Sequence, residues 1–211
     1  VYDADERPRP DALRQLVQPF ADPQVGGATG RRAVSNCLAG PAASYATFEG
    51  LVHQLVTNRA KERLKLAPAI LGANCAYRRT ALAEVGGFKP GALLEDTDLT
   101  LRLVRAGWQT RFVPGAVSYH QVPETIRGYW QQHTRWARGF TEVARAQAGP
   151  VLFDRRLPWP LRLELLTFAV GYLDRLALLA GLGLSLRKVR AVRWIIGLSL
   201  LTPLLQLVVA L

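Results

Sequence analysis

Asp3 and Asp5 place two carboxylates one residue apart, directly after the apolar residues Val1 and Tyr2. Side chains at positions i and i+2 of an extended segment lie on the same side, so both carboxylates can reach one hard cation. A cation bound there would neutralise the phosphates of a nucleotide diphosphate. The alternative is a solvated acidic turn before the sequence RPRP, because aspartate is frequent in turns.

A second acidic group, Glu95-Asp96-Thr97-Asp98, follows Leu94 at the predicted start of a helix. Acidic residues in the first turn of a helix are favoured by the macrodipole, so this group can simply stabilise the helix N-terminus. The same dipole keeps Asp96 ionised, and an ionised carboxylate can accept a proton from a hydroxyl that attacks an electrophilic carbon. Asp96 is therefore a candidate general base.

The third group lies in the sequence QQHTRW, residues 131–136, inside another predicted helix. Gln132, Arg135 and Trp136 are spaced i, i+3 and i+4, so they project from one helical face as an amide, a cation and a flat aromatic surface. Such an arginine can stabilise a departing diphosphate, and such a tryptophan can stack on a sugar ring. The alternative is an amphipathic surface helix whose tryptophan packs on the core.

Residues 1–150 alternate short apolar runs with helical patterns, which predicts a soluble α/β or α+β domain. The predicted strands are 25–34 (a glycine-rich strand or loop), 69–77, and two short strands within 110–120 that are broken at Pro114-Gly115. The predicted helices are 41–64, a short helix capped by Thr80 and ending at Gly86-Gly87, 93–107, and 123 to about 148. The first helix carries a stripe that we expect to face the core, formed by Tyr45, Phe48, Val52 and Leu55.

Residues 151–211 are predicted to form a membrane-associated region. The segment 194–211 carries no charge and is long enough to enter a bilayer. The segment 161–186 is apolar but carries the central pair Asp174-Arg175, so an interfacial helix, a short hairpin and a span packed against other helices all remain open. The basic sequence RKVRAVR, 187–193, lies between them and indicates a cytoplasmic face by the positive-inside rule.

The composition narrows the class of protein. The chain has 211 residues, of which 49% are hydrophobic, and this excludes a disordered chain. A formal charge of +11 suits nucleic acid, an anionic membrane surface or an acidic substrate such as a nucleotide diphosphate. A nucleic-acid-binding protein is the weaker alternative, because no binding signature is recognisable and the acidic groups would repel phosphates without a metal.

Taken in order and followed by apolar segments, the three groups resemble membrane-integrated family-2 glycosyltransferases, which include cellulose, chitin, hyaluronan and poly-N-acetylglucosamine synthases. The Asp-x-Asp, Thr-Glu-Asp and Gln-x-x-Arg-Trp motifs of that family are matched by Asp3 and Asp5, by Leu94-Glu95-Asp96, and by Gln132, Arg135 and Trp136. The sequences GANCAYRRTALAEVGGF, 72–88, and VPETIRGYWQQHTRWARG, 122–139, also resemble the family.

The resemblance implies an α/β fold: the C-terminal part of a GT-A, Rossmann-like glycosyltransferase domain, followed by interfacial and transmembrane helices. It implies inverting transfer of a sugar, with UDP as the expected nucleotide, to a sugar or glycan acceptor at the cytoplasmic face of the cell membrane by a multi-pass protein. Processive polysaccharide synthesis and a single addition both remain open. The implied roles are a divalent cation, Mg²⁺ or Mn²⁺, on Asp3 and Asp5, the catalytic base at Asp96, and substrate binding by Glu95, Gln132, Arg135 and Trp136.

The chain departs from the family at two places. Leu94 stands where the family has threonine, which removes a hydroxyl but leaves Asp96 in place. Family members carry a preceding nucleotide-binding half, so we expect residues 1–5 to end a central strand of a larger sheet and the 211 residues alone to be inactive. A catalytically inactive membrane scaffold that kept the fold is the remaining alternative.

Overall fold

The computed structural model describes residues 1–169. The predicted membrane segment 194–211, the basic sequence 187–193 and residues 170–186 of the apolar segment 161–186 lie outside this part. The strands are β1 Arg7–Pro8, β2 Val25–Val34, β3 Cys75–Tyr77 and β4 Gln109–His120. The helices are α1 Ala12–Val17, α2 Pro41–Leu51, α3 Arg59–Arg63, α4 Arg79–Glu84, α5 Glu95–Arg105, α6 Ile126–Phe153 and α7 Trp159–Ala169. A 3₁₀ turn, Gln18–Ala21, follows α1, and a π-helical segment, Val52–Asn58, joins α2 to α3. Within residues 1–169, none of the helices is both long enough and apolar enough to cross a membrane.

The four strands form one mixed sheet in the order β1-β4-β2-β3. The two long strands, β2 and β4, run parallel, and β1 and β3 pair antiparallel with them on the outside. A parallel pair needs a long crossover connection, which here contains α2 to α5. The strand predicted at 25–34 is confirmed as β2, and Gly30 within it is required because a Cβ there would overlap the carbonyl oxygen of Ala116.

The sequence 110–120 lies in one strand, β4, and the prediction of two short strands is wrong. Val113 pairs with Gly30, whereas Val117 pairs with the next β2 residue, Arg31. The residues between them bulge out, while both flanks keep their partners on β2. A bulge accommodates Pro114, which has no backbone donor, without ending the strand.

The helical stretch predicted at 41–64 is present as α2, the π-helical segment and α3, but of its predicted core stripe only Leu55 is half-buried and the other three residues are exposed. Tyr45 is 59% exposed and Phe48 is 66% exposed. A face that carries polar residues is buried instead. Its burial is possible because Gln54 bonds to the backbone of Arg32, and Asn58 bonds to the backbone of Ala69.

Of the strand predicted at 69–77, only β3 is extended. Gly72 has a φ of +76° and Asn74 a φ of 47°, so the chain turns twice through the left-handed region just before β3. The side-chain amide of Asn74 donates to the carbonyl oxygen of Ala116 at 2.8 Å, which fixes this turn against β4. The preceding residues are therefore a largely buried loop and not a strand.

The N-terminal residues pair with the outer side of β3 without forming a regular strand. The nitrogen of Val1 donates to the carbonyl oxygen of Cys75 at 2.6 Å, and the Cys75 N–H donates to the carbonyl oxygen of Val1 at 3.1 Å. Asp3 and Asp5 follow in an exposed turn. The two carboxylates are thus held beside β3 by the backbone of Val1.

The two helices predicted around the second acidic group are present as α4 and α5. The residue that precedes α4 is Arg78, so the prediction that Thr80 caps this helix is wrong. The predicted end of α5 is confirmed, because Gly107 follows it with a φ of +94°.

The helix predicted at 123–148 is present as α6, which continues to Phe153. A hydrophobic cluster joins α5, α6 and α7. Its buried members are Ala67, Leu94, Leu101, Val104, Val143, Val151, Leu157 and Leu165. This cluster sets the position of α6 relative to the acidic start of α5.

Candidate active site

Asp96 lies in the first turn of α5 and is half-buried, next to the exposed Glu95. Its Oδ1 atom accepts a hydrogen bond of 2.7 Å from the backbone N–H of Thr97. Burial raises the pKa of Asp96 to about 6, although the hydrogen bond from Thr97 acts in the opposite direction. A carboxylate whose pKa lies close to the working pH is suited to accept a proton.

The loop before β3 contacts the other oxygen of Asp96. A Cβ added to Gly72 would lie 3.0 Å from Asp96 Oδ2, and the left-handed backbone there separately favours glycine. Cys75 and Tyr77 of β3 interact electrostatically with Asp96. Burial raises the pKa of Cys75 to about 11 and also raises the pKa of Tyr77, so both side chains are uncharged at neutral pH.

Asp98, two residues further along, has a different environment. It is buried, its Oδ2 atom lies 2.7 Å from Nε of Arg102, and its Oδ1 atom lies 3.0 Å from Nζ of Lys89. Gln147 of α6 donates a further hydrogen bond of 2.8 Å. Burial alone would raise the pKa of Asp98, but the bonds from Lys89, Gln147 and Arg102 together lower it. Asp98 therefore fixes α5 to its neighbours, and Asp96 is the carboxylate suited to chemistry.

The turn that carries Asp3 and Asp5 is partly neutralised by Arg32 of β2. Nη2 of Arg32 lies 3.6 Å from Oδ2 of Asp3, and its Nε atom lies 2.6 Å from Oε1 of the buried Glu6. Asp5 is exposed and forms no hydrogen bond or ion pair with the rest of residues 1–169. In that same part of the chain, no group of three or more His, Cys, Asp or Glu residues is arranged to hold a metal ion.

Helix α6 presents the third motif beside the start of α5. Gln132 and Trp136 are half-buried, and Arg135 is exposed. Trp136 packs against the hydrophobic cluster that contains Leu94. Gly139 permits this close approach, because a Cβ there would lie 2.5 Å from Cγ of Leu94. The contact with α6 is therefore made by Leu94, two residues before Asp96 in the sequence.

A groove of about 340 Å³ runs between α6 and the residues before α5. It is lined by Leu93, Trp130, Gln131, Thr134, Arg135 and Arg138. Trp130, which is 72% exposed, and Arg138 are not among the residues predicted from the sequence. Their four-residue spacing from Thr134 places them on one face of a helix and could have identified them.

Each of the three predicted groups shares a neighbouring segment with another of them. Asp96 and the acidic turn both adjoin the segment 72–77, through Gly72 and through the Val1 pairing. The third motif adjoins Asp96 through Leu94. Asp5 and Asp96, which are 96 − 5 = 91 positions apart in the sequence, thus adjoin the same segment.

The chain is similar to known proteins in sequence and in fold. The family described as Glycosyl transferase family group 2 matches residues 1–211. The probable glycosyltransferase YdaM of Bacillus subtilis is 35% identical over 140 residues, which are 66% of this chain and 33% of that protein. The poly-beta-1,6-N-acetyl-D-glucosamine synthase of Staphylococcus aureus is 27% identical over 161 residues, 74% of this chain and 38% of that protein. The matched part of the chain therefore spans only 33% and 38% of the length of these two curated relatives.

A solved structure shows the same fold. It is a mannosyltransferase from Pyrobaculum calidifontis in complex with GDP-Man and Mn²⁺, and it matches with a TM-score of 0.53. The match covers 100% of this chain and 59% of that chain at 22% sequence identity. The α/β fold of the GT-A type, expected from the sequence, is thereby confirmed.

Proposed function

Because the chain belongs to glycosyl transferase family group 2, we propose that it acts in the inverting transfer of a sugar from a nucleotide-sugar donor to the hydroxyl of a sugar or glycan acceptor. Two names among the similar proteins suggest the first donors to test. The Staphylococcus aureus synthase suggests N-acetylglucosamine, for which we expect UDP as the nucleotide, and the archaeal mannosyltransferase suggests GDP-Man.

The carboxylate of Asp96 is the observation that carries this proposal. It lies at the start of α5, with a pKa of about 6, beside the helix that presents Arg135 and Trp136. In the proposed reaction, Asp96 takes the proton of the acceptor hydroxyl while the hydroxyl oxygen bonds to the anomeric carbon. The bond from that carbon to the diphosphate oxygen breaks on the opposite side, and its electron pair leaves with the diphosphate. A single displacement of this kind inverts the configuration at the anomeric carbon.

Asp3 and Asp5 fit a divalent cation that is shared with the donor. Two carboxylates in an exposed turn supply only part of a coordination shell, and Mg²⁺ is commonly held by one or two carboxylates plus substrate phosphates. A bound Mg²⁺ or Mn²⁺ would neutralise the charge that develops on the diphosphate. Asp5 is the better ligand of the two, because Asp3 already shares the guanidinium of Arg32.

Glu95 at the start of α5 and the third motif on α6 complete the proposed substrate site. Arg135 provides a second positive charge for the diphosphate, since its guanidinium is exposed at the groove. Trp136 offers an aromatic face to the acceptor sugar, and Gln132 and Glu95 offer hydrogen-bonding groups to sugar hydroxyls. We further propose that transfer takes place at the cytoplasmic face of the cell membrane, in contact with the bilayer, which rests on the sequence of 161–211.

The experiment that tests the function uses the full-length protein in membranes. It is offered labelled UDP-N-acetylglucosamine, other UDP-sugars and GDP-mannose, each with Mg²⁺ or Mn²⁺, and the products are sized. We expect one donor to give a glycosylated product, and the product length distinguishes a single addition from processive synthesis. Failure to transfer sugar from every donor would overturn the proposal and favour an inactive scaffold.

The pH dependence of transfer should report the raised pKa of Asp96. Because only the ionised carboxylate accepts a proton, we expect kcat/KM to fall about tenfold per pH unit below the pKa of about 6. If the aspartate had an ordinary pKa, kcat/KM would decline only below about pH 4. A profile that stays flat down to about pH 5 would contradict the assignment, provided that activity returns on neutralisation.

Trp136→Ala should weaken acceptor engagement more than donor hydrolysis. The substitution removes a stacking surface worth about 0.5–1.5 kcal/mol beyond area burial, while the contacts to the diphosphate remain. The measurement is the ratio of sugar transfer to slow hydrolysis of the donor, which we expect to fall several-fold. An unchanged ratio with a lower melting temperature would identify Trp136 as a core residue only, and Trp159→Ala, at a 58% exposed position on α7, is the matched control.

A further inference from the structure

A polar contact joins α2 to the motif helix α6. The carboxylate of Glu49 accepts a hydrogen bond of 2.8 Å from the hydroxyl of Tyr129, and the same oxygen lies 3.1 Å from Nε2 of His133. Nδ1 of His133 lies 3.0 Å from the carbonyl oxygen of Tyr129, one helical turn earlier. The rings of Tyr129 and His133 are stacked with centroids 3.8 Å apart. We call these three residues the Glu49 cluster.

Each ring nitrogen of His133 has an oxygen partner in the Glu49 cluster. Nε2 faces the carboxylate of Glu49, and Nδ1 faces the carbonyl oxygen of Tyr129. These two contacts on opposite sides of the ring fix its orientation. The side chain of His133 is 12% exposed, so its contact with Glu49 is largely shielded from water.

His133 lies inside the third motif and contacts its tryptophan. The rings of His133 and Trp136 meet edge to face, with centroids 4.8 Å apart and an interplanar angle of 62°. Trp136 also packs on the hydrophobic cluster that contains Leu94. The indole is therefore held between the fixed ring of His133 and the residues at the start of α5.

Glu49 lies in α2, which continues into the π-helical segment and is held in place by hydrogen bonds to the sheet. Gln54, in the π-helical segment, accepts a hydrogen bond of 2.6 Å from the N–H of Arg32 and donates one of 3.1 Å to its carbonyl oxygen. These two bonds pin the helix to β2, the strand whose Arg32 side chain binds Asp3. Through Glu49, α6 is therefore connected to a helix that is bound to the sheet.

We propose that Glu49 is a positioning residue for acceptor binding, which acts through His133 on the indole of Trp136. The inference rests on the proposed function, in which Trp136 contacts the acceptor sugar. Loss of the contact leaves Asp96, Asp3 and Asp5 in place. It therefore changes binding of the acceptor and not the chemical step.

Two substitutions of His133 separate the roles of its two nitrogens in the full-length protein. The amide of asparagine can replace Nδ1, so His133→Asn keeps the bond to Tyr129 but does not reach Glu49. The longer glutamine can replace Nε2, so His133→Gln keeps a donor to Glu49. Glu49→Gln weakens the same contact from the other side and carries the test if His133→Asn does not fold. Tyr129→Phe removes only the hydroxyl bond to Glu49 and leaves both contacts of His133 in place. Glu142→Gln, at an exposed position on α6, is the control.

Initial rates are measured against the concentration of a tetrasaccharide of the sugar that the donor screen identifies. We expect His133→Asn to raise the KM for this acceptor about tenfold, with kcat changed less than about twofold, as for loss of one charge-assisted hydrogen bond. His133→Gln should recover most of the loss, with a KM within about threefold of the wild type. Glu49→Gln should raise KM without lowering kcat, Tyr129→Phe should raise it less than Glu49→Gln does, and Glu142→Gln should match the wild type.

A wild-type KM in His133→Asn, or a parallel fall of kcat, acceptor affinity and melting temperature in all variants, would show that the Glu49 cluster only stabilises the fold. Either result overturns this inference while wild-type transfer still supports the proposed function. If the wild type transfers no sugar from any donor, the proposed function fails and this inference fails with it.

Discussion

The Asp96→Asn variant of the full-length protein is expected to lose sugar transfer by about 10³-fold, the effect typical of removing a general base. Asparagine has the shape of aspartate, and its side-chain oxygen can still accept the hydrogen bond from Thr97. It cannot take a proton from the acceptor hydroxyl. Donor binding should be largely unchanged, because Asp96 does not contact the diphosphate in the proposed site. Transfer rate and donor affinity, measured on the same preparation, separate the two effects.

The control for Asp96→Asn is Asp22→Asn, the same change at an exposed turn where the carboxylate accepts a hydrogen bond from Gln24. The control should retain wild-type transfer. Asp96→Asn should also lose the acidic limb of the pH profile, since the group that titrates near about pH 6 is removed. Transfer near the wild-type rate in Asp96→Asn would remove Asp96 from the role of base.

Chelation of divalent cations by EDTA is expected to stop transfer, and added Mn²⁺ or Mg²⁺ should restore it. In Asp5→Ala, the concentration of cation needed for half-maximal activity should rise by at least about tenfold, since even residues that only support metal ligands change metal affinity by 10–100-fold. Asp5 is chosen over Asp3 because the guanidinium of Arg32 already lies 3.6 Å from Asp3. The measurement is a cation titration of the transfer rate at saturating donor.

Asp11→Ala is the matched control for Asp5→Ala, because Asp11 is a nearby carboxylate whose ion pair with Arg9 is well exposed. Exposed pairs of this kind contribute little to stability, so its cation requirement should equal that of the wild type. Unchanged activity in EDTA would mean that Asp3 and Asp5 form only a solvated acidic turn.

Glycines gave the most reliable predictions of element ends. The ends of α4 and α5 follow from Gly86 and Gly107, whose φ values of +77° and +94° are costly for any other residue. The acidic start of α5 was equally predictable, because the macrodipole favours carboxylates there. These features depend on a few neighbouring residues, and the sequence contains all the information that they need.

Features that depend on distant partners were not predictable from the sequence. The spacing of Tyr45 and Phe48 is helical, but which face of α2 packs inward depends on the partners that Gln54 and Asn58 find elsewhere. Likewise, β4 remains one strand across Pro114 because β2 lies beside it.

The candidate site divides in the same way. The candidate base Asp96 and the common face of Gln132, Arg135 and Trp136 were predictable from short stretches of the sequence. The contact of Glu49 with His133 joins residues 84 positions apart, and no local pattern indicates it. The different environments of Asp96 and Asp98 were also not predictable from the sequence. They depend on the fold, which brings Lys89 and Gln147 to Asp98 and not to Asp96.

The π-helical segment Val52–Asn58 has a consequence for the tolerated length of this part of the chain. Glu49 lies before it and contacts α6, whereas Lys61 lies after it and places its Nζ atom 2.5 Å from Oε1 of Glu164 on α7. A π turn contains more residues than an α turn, and removing one residue would convert it to regular α-helix. Because a π turn holds its extra residue within about one full rotation, this deletion would leave Glu49 and Lys61 on nearly the same faces of a continuous α-helix. Any other insertion or deletion of one residue between them would rotate one relative to the other by about 100°, the angle between successive residues of an α-helix. Homologous proteins that keep both contacts should therefore tolerate the loss of one residue within the segment Val52–Asn58 and no other change of length between these two positions.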